Sequence, residues 1–431
     1  MGKMLRLATL VVFLVTLVVA CSDEDIPPPL PTATARPPVT SAPTTAPSEP
    51  RLGVSEPQPF TIVPFEGVTP AWPDDPTDGA YLPRWLVYDR ETGVTSVADS
   101  GIGTVWGNWL EGNRLLVRLD TRSGIYDVPA GSWSSIELGV DLGINSGALA
   151  SQDGSRIALE GPQGELILLD MEDMTYVTVS TRVWLLSWSP DSTRLLVQTQ
   201  GESTYFVIDA ANPATPLPLP TDSPAFDGRP HYGDWIDNAR LSMGSDIQRR
   251  VAEVDVSGSS PVINLGPAIE EGSISRSPDG NHFAVSRSGF QVSNEYSSRT
   301  AFYRIEPFEL IAAYDGIAVQ AHEPSVWTAD GSRIVALRDA CTEDETLILL
   351  DIATGAQIDL ASMGTSQVAL SPDEALVAFG TSGLVIVPAD GSAPALMVFE
   401  RPGAPGAVAR PEWSRDGRFI SFVFGGYGRC P

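Results

Sequence analysis

Lysine is all but missing from this chain: Lys3 is the only one among 431 residues, so arginine supplies every other strongly basic side chain. Histidine occurs only as His231, His282 and His322, too few for zinc held mainly by imidazoles. Cysteine occurs only as Cys21, Cys341 and Cys430, and no Cys-x-x-Cys pair is present. The chain also lacks a P-loop, a dinucleotide-binding glycine fingerprint and a Gly-x-Ser-x-Gly nucleophile elbow, so no cofactor is expected.

What is abundant is negative charge. Acidic residues number 54 against 27 basic ones, a formal charge of −27. A surface this acidic repels nucleic acid and anionic headgroups, which excludes both as partners.

The amino terminus carries Lys3 and Arg6, then an apolar run over 10–15 that continues past Thr16 to Ala20. A permanent bilayer span needs about 20 apolar residues, so this shorter run, followed at once by charge and proline, is an export signal. Its end, Leu17-Val18-Val19-Ala20-Cys21, resembles the lipobox of bacterial lipoproteins. The resemblance implies removal of 1–20, a diacylglycerol on the Cys21 sulfur and anchoring in the cell envelope outside the cytoplasm. A secretory signal with a chance cysteine is the alternative. Processing leaves a charge of −29, and Cys341 and Cys430 remain as a pair in an oxidising compartment, where a disulfide is the natural expectation.

Residues 21–60 are dominated by Pro, Thr, Ala and Ser, as in Pro27-Pro28-Pro29, and read as an extended stalk. Residues 61–83 read as an extended lead-in, and 84–431 as a single domain. In that domain one pattern recurs: an aromatic or apolar residue, a small polar one, a turn with Asp and often Gly, then a β-rich run. Trp188-Ser189-Pro190-Asp191 is the clearest copy, with others at Arg276, Trp327, Leu370 and Trp413 and weaker ones at Trp109, Ala150 and Trp235. Their spacings of 41, 38, 47, 41, 51, 43 and 43 match a four-stranded propeller blade. Proline presets φ, aspartate bonds nearby amides and glycine accepts positive φ, so the motif aspartates are structural by default.

Each copy is followed by a second hairpin, except the last. Its missing partner is the segment Trp85-Leu86-Val87-Tyr88-Asp89, which has no front half of its own. The prediction is an all-β, eight-bladed propeller whose first and last strands share one blade, with seven blades as the variant if a weak copy is misread. The Ser-Pro-Asp-Gly turns resemble the TolB-type, WD-repeat-like propeller, similar also to those of prolyl oligopeptidases. That resemblance implies a fold and little about function.

Candidate sites are few. Asp227, Arg229, His231 and Asp234 lie in a connection before Trp235 and could line a ligand or calcium site, although a surface loop with ordinary turn chemistry is the favoured reading. The blade-start tryptophans read as packing between blades. The long connections, 216–232, 287–299 and 340–345, fall on the face opposite the Asp-containing turns, and so do Cys341 and Cys430. The expected function is a monomeric, non-enzymatic interaction module that docks a protein or envelope partner on this face. A glycan-cleaving propeller enzyme and a sugar sensor using the central channel are the alternatives.

Overall fold

A computed structural model of the protein describes residues 52–64, 84–98, 108–119, 122–138, 147–200, 204–219, 230–235, 237–245, 250–258, 261–268, 273–292, 295–319, 326–340, 342, 344–362, 367–400 and 407–425. Among these described residues there is no α-helix, and apart from two short strands, Gln58–Pro59 and Thr61–Pro64, the strands fall into eight four-stranded antiparallel groups, A to H, with one long strand shared between two of them. The protein is an all-β propeller. Group A starts at Asn108–Leu110, B at Ala148–Ala150, D at Pro230–Trp235, E at Ser273–Arg276, F at Ile317–Ala318 and G at Val368–Leu370. Groups B and C are joined by one long strand, Thr175–Trp188, whose first half pairs with Glu165–Asp170 and whose second half pairs with Arg194–Thr199.

The sequence dictates this packing through its middle strands. Leu166, Ile167, Leu168 and Leu169 are all buried, as are Leu347, Ile348, Leu349 and Leu350. A strand apolar on both faces must have a neighbour against each, which is what a sheet packed between two other sheets provides.

Group H closes the circle. Ala407–Trp413 and Phe419–Gly425 come from the end of the described chain, Arg84–Asp89 and Val94–Val97 from its beginning. The register runs from Arg84 opposite Phe424 to Asp89 opposite Phe419. Arg418 then grips the Asp89 carboxylate through Nε (3.2 Å) and Nη2 (2.9 Å), and Arg90 donates to the Gly417 carbonyl at 2.6 Å while stacking over Trp413.

Two segments depart from the sequence reading. Residues 52–64, expected to end the stalk and begin an extended lead-in, lie along the outer strands: Gln58–Pro59 pairs with Tyr176 and Thr175, and Thr61–Pro64 with Glu137 to Ser134. Phe60 is 3% exposed there. The region 287–299, expected as an irregular connection, is a hairpin in which His282–Val292 runs beside Glu295–Arg304 out to the Val292/Glu295 pair. Its Ser and Gly content reads locally as loop, but cross-strand hydrogen bonding satisfies the backbone and overrides that preference.

Candidate functional site: the two ends of the ring

In an antiparallel meander the first-to-second and third-to-fourth turns share one end, the turn end. The second-to-third connections and the crossings between groups share the other, the open end.

At the turn end the repeated motif folds the same way six times. Ser189 donates its hydroxyl to Asp191 Oδ1 (2.6 Å) and accepts the Arg194 amide (2.9 Å), while Asp191 Oδ1 also accepts the Thr193 amide (3.1 Å). The same triad of bonds joins Ser151, Asp153 and Ser155; Ser277, Asp279 and Asn281; Thr328, Asp330 and Ser332; Ser371, Asp373 and Ala375; and Ser414, Asp416 and Arg418. The left-handed position falls on Gly154, Gly280, Gly331 and Gly417 but also on Ser192 and Glu374, so glycine is favoured and not obligatory. At Gly154 it is needed twice over, because a Cβ would also come within 2.8 Å of the Glu111 amide nitrogen.

These bonds set the carboxylates' chemistry. At Asp330 the Ser332 amide and the hydroxyls of Thr328 and Ser332 bring the pKa down to about 2. At Asp153 partial burial opposes ionisation, yet the Ser155 amide and the Ser151, Ser155 and Ser192 hydroxyls outweigh it and also bring the value to about 2. Asp191, Asp373 and Asp416 are lowered in the same way. A base for catalysis is tuned toward neutrality; these groups are tuned away from it, as fixed acceptors.

Neighbouring groups are fastened through the same turns. The Asp153 amide donates to Ser192 Oγ (3.1 Å), Arg156 to the Ser192 carbonyl (2.8 Å), Arg194 to the Val256 carbonyl (3.1 Å) and Asn113 to Asp416 (2.8 Å). The tryptophans do the same one layer in. Indole nitrogens of Trp109, Trp188, Trp235 and Trp413 donate to the carbonyls of Glu412, Leu149, Ser187 and Ala369, and Trp327 donates to Ser275 Oγ, in each case on the first strand of the preceding group. Their expected role in packing between blades is what the geometry shows.

His282 is a variation on this scheme. It holds the position that Arg156 and Arg194 occupy in their own turns, with Nδ1 3.6 Å from Asp279 Oδ2 and without a hydrogen-bond partner at that atom. The imidazole packs beside Gly331, where a Cβ would approach Nδ1 to 2.8 Å.

The open end carries the 287–299 hairpin and Trp184. Trp184 opposes Gln198 near the start of the first strand of group C and is 48% exposed, on the same strand face as the exposed Arg182 and opposite in direction to the buried Val183 between them. Glu160, from group B, accepts the amides of Gly147 (3.2 Å) and Leu185 (3.4 Å) beneath it. Sequence reasoning missed Trp184; the signal was a tryptophan inside a strand pattern one turn before the Trp188 motif.

Of the residues predicted from sequence, Cys21, Cys341, Cys430, Asp227 and Arg229 lie outside the described residues. His231 and Asp234 fall on Pro230–Trp235, a strand paired with Arg240–Ser245, so that half of the expected ligand loop is strand backbone, with a bulge between Pro230 and Tyr232. The expected connection over 216–232 is likewise shortened at both ends, by Leu217–Pro218 and by this strand. Among the described residues no three His, Cys, Asp or Glu side chains come together as a metal site.

The chain matches no family model and no curated protein sequence. Among solved structures it is similar to the dihydro-heme d1 dehydrogenase NirN in complex with DHE, at 15% identity and a TM-score of 0.49, covering 80% of this chain and 79% of that one. It is also similar to the Cps50 (Swd1) β-propeller domain of Myceliophteria thermophila, at 14% identity and a TM-score of 0.39, covering 64% and 95%. A structure of the eukaryotic initiation factor gives 8% identity and a TM-score of 0.47, covering 80% and 98%.

Proposed function

We propose that this protein is a lipid-anchored, extracytoplasmic propeller of eight blades that docks a protein or envelope partner on its open end. The reading is carried by Trp184. The turn-end motif residues are consumed in holding the ring together, while at the open end a tryptophan stands half in water beside Arg182. Tryptophan and arginine are the side chains that most often anchor protein interfaces.

The test is site-specific photo-crosslinking on intact cells, with the probe at Arg182 and, as control, at Gln152 on the turn end. A reproducible partner should be captured from position 182 and not from 152, and Trp184→Ala should cut the yield about tenfold, as expected when an interface anchor worth more than ~1.4 kcal/mol is lost. Capture from 152 alone would overturn the assignment of the docking end.

Anchoring through Cys21 rests on the lipobox resemblance, and the Cys341–Cys430 disulfide on the oxidising compartment that goes with it. Peptide mapping of protein purified from membranes checks both. The expected results are a diacylated amino-terminal peptide beginning at Cys21, a linked Cys341–Cys430 pair under non-reducing conditions, and release of Cys21→Ser protein from the membrane fraction. An unmodified Cys21 peptide or two free thiols would remove the corresponding element.

A further inference from the structure

Residues 52–64 do more than join a stalk to a ring. They run along the circumference across three consecutive groups in the reverse of chain order. The Leu52 amide reaches the Ala214 carbonyl of group C (3.3 Å); Gly53 accepts the Ser180 amide (2.7 Å); Ser55 exchanges bonds with Thr178 through its amide (3.0 Å) and its hydroxyl (2.9 Å). Val54 bridges Val179, Gln58–Pro59 pairs with group B, and Thr61–Pro64 pairs with group A. Between those two pairings Phe60 is buried in the A–B seam, in one cluster with Ile136, Leu138, Leu169 and Tyr176, and Tyr176 donates its hydroxyl to the Leu138 carbonyl (2.7 Å) in the same seam. The segment therefore adds an outer strand to two sheets and plugs the joint between them.

Its position in the chain gives this a consequence. The next described segment, Arg84–Asp89, is the strand that closes the ring, and Arg84 sits opposite Phe424, beside the chain's other end. A pull entering at Arg84 and resisted at the carboxyl terminus would load one end of that antiparallel pair and unzip it a residue at a time. A pull entering at Leu52 is taken up by the edges of groups A to C, upstream of the closing strand.

We infer that residues 52–64 are a strap that receives tension from the amino-terminal tether and keeps it off the ring's closing strands. The inference takes from the anchored reading only the direction of the load. The strap contacts themselves do not depend on the lipid, so a failure here is distinguishable from an unmodified Cys21.

The experiment is force spectroscopy on the full mature chain, pulled between its amino and carboxyl termini, with no lipid present. The expected trace has two stages: a first rupture that frees residues 52–83, adding at most about 110 Å of contour at ~3.4 Å per residue, then ring opening. Phe60→Asp should abolish the first stage. Because Phe60 also fills the seam, Ser55→Pro is the second variant: at an exposed position it removes both the amide and the hydroxyl that bond Thr178, and it should lower the first rupture force while ring opening after release stays at its wild-type force. A wild-type trace in which the ring opens first, or a first rupture indifferent to both substitutions, would overturn the strap.

Discussion

Leu86→Asp is expected to abolish the cooperative thermal transition followed by tryptophan fluorescence, and Leu86→Ala to lower stability by about 2–5 kcal/mol. Leu86 is fully buried, pairs with Phe422 on one side and Val97 on the other, and shares a cluster with Trp413, Ile420 and Phe424. Truncation to alanine removes apolar contact and leaves a cavity. An aspartate there adds an unpaired charge in a site with no water to solvate it. The effect should exceed that of an equivalent change in another group. Groups A to G are each continuous in sequence, whereas H is completed by strands from both ends of the chain, held to each other without a covalent link between adjacent turns. Losing H also exposes two sheet edges that can pair with other molecules. Val94→Ala, at a position 60% exposed on the outer strand of the same group, serves as control and should change stability by less than about 0.5 kcal/mol. If Leu86→Asp melted with the wild type, closure through 84–89 would not be what holds the ring.

Closure was legible in the sequence because its signal is local: a back half with no front half at one terminus and the reverse at the other. The turns were legible for the same reason, since Ser189 bonds a residue two positions on and an amide five positions on. What escaped were structures whose partners are distant. Leu52, Val54, Phe60 and Ile62 are separated by Gly53, Pro57 and Pro59, a composition that reads as spacer. Their partners, from Ser134 to Ala214, lie about 70 to 160 positions away, on outer strands whose open edges no local pattern announces. The 287–299 hairpin escaped because its residues carry little β propensity and its pairing supplies the order. Trp184 escaped because exposure depends on where a strand ends in the ring, which periodicity does not report.

Acid should act on this protein in two opposite stages, and the turn aspartates decide the second. At neutral pH the chain repels itself, with 54 acidic residues against 27 basic ones. Protonation of ordinary carboxylates as pH falls toward about 4 relieves that repulsion, so stability should rise or hold level. Asp153 and Asp330 behave differently, with folded values of about 2. In the unfolded chain they take up a proton near pH 4. A group whose folded pKa is depressed contributes its full stabilisation above the unfolded value and loses it as pH falls through the folded one, so the loss is confined to the interval from about pH 4 to pH 2. The full shift corresponds to roughly 2.5 kcal/mol per group, but both carboxylates sit at the solvent edge, where screening leaves about 1 kcal/mol each. Asp191, Asp373 and Asp416 are lowered in the same direction and add to it. Urea unfolding at closely spaced pH values should therefore show a maximum near pH 4 to 5 and a steep fall below it. Asp330→Asn keeps an acceptor for the Ser332 amide but cannot titrate, so it should cost stability at pH 5, cost less at pH 2.5 and flatten the fall between them. A stability that went on rising below pH 4, or an Asp330→Asn protein with the wild-type slope, would mean that these turns do not hold the ring through their charge.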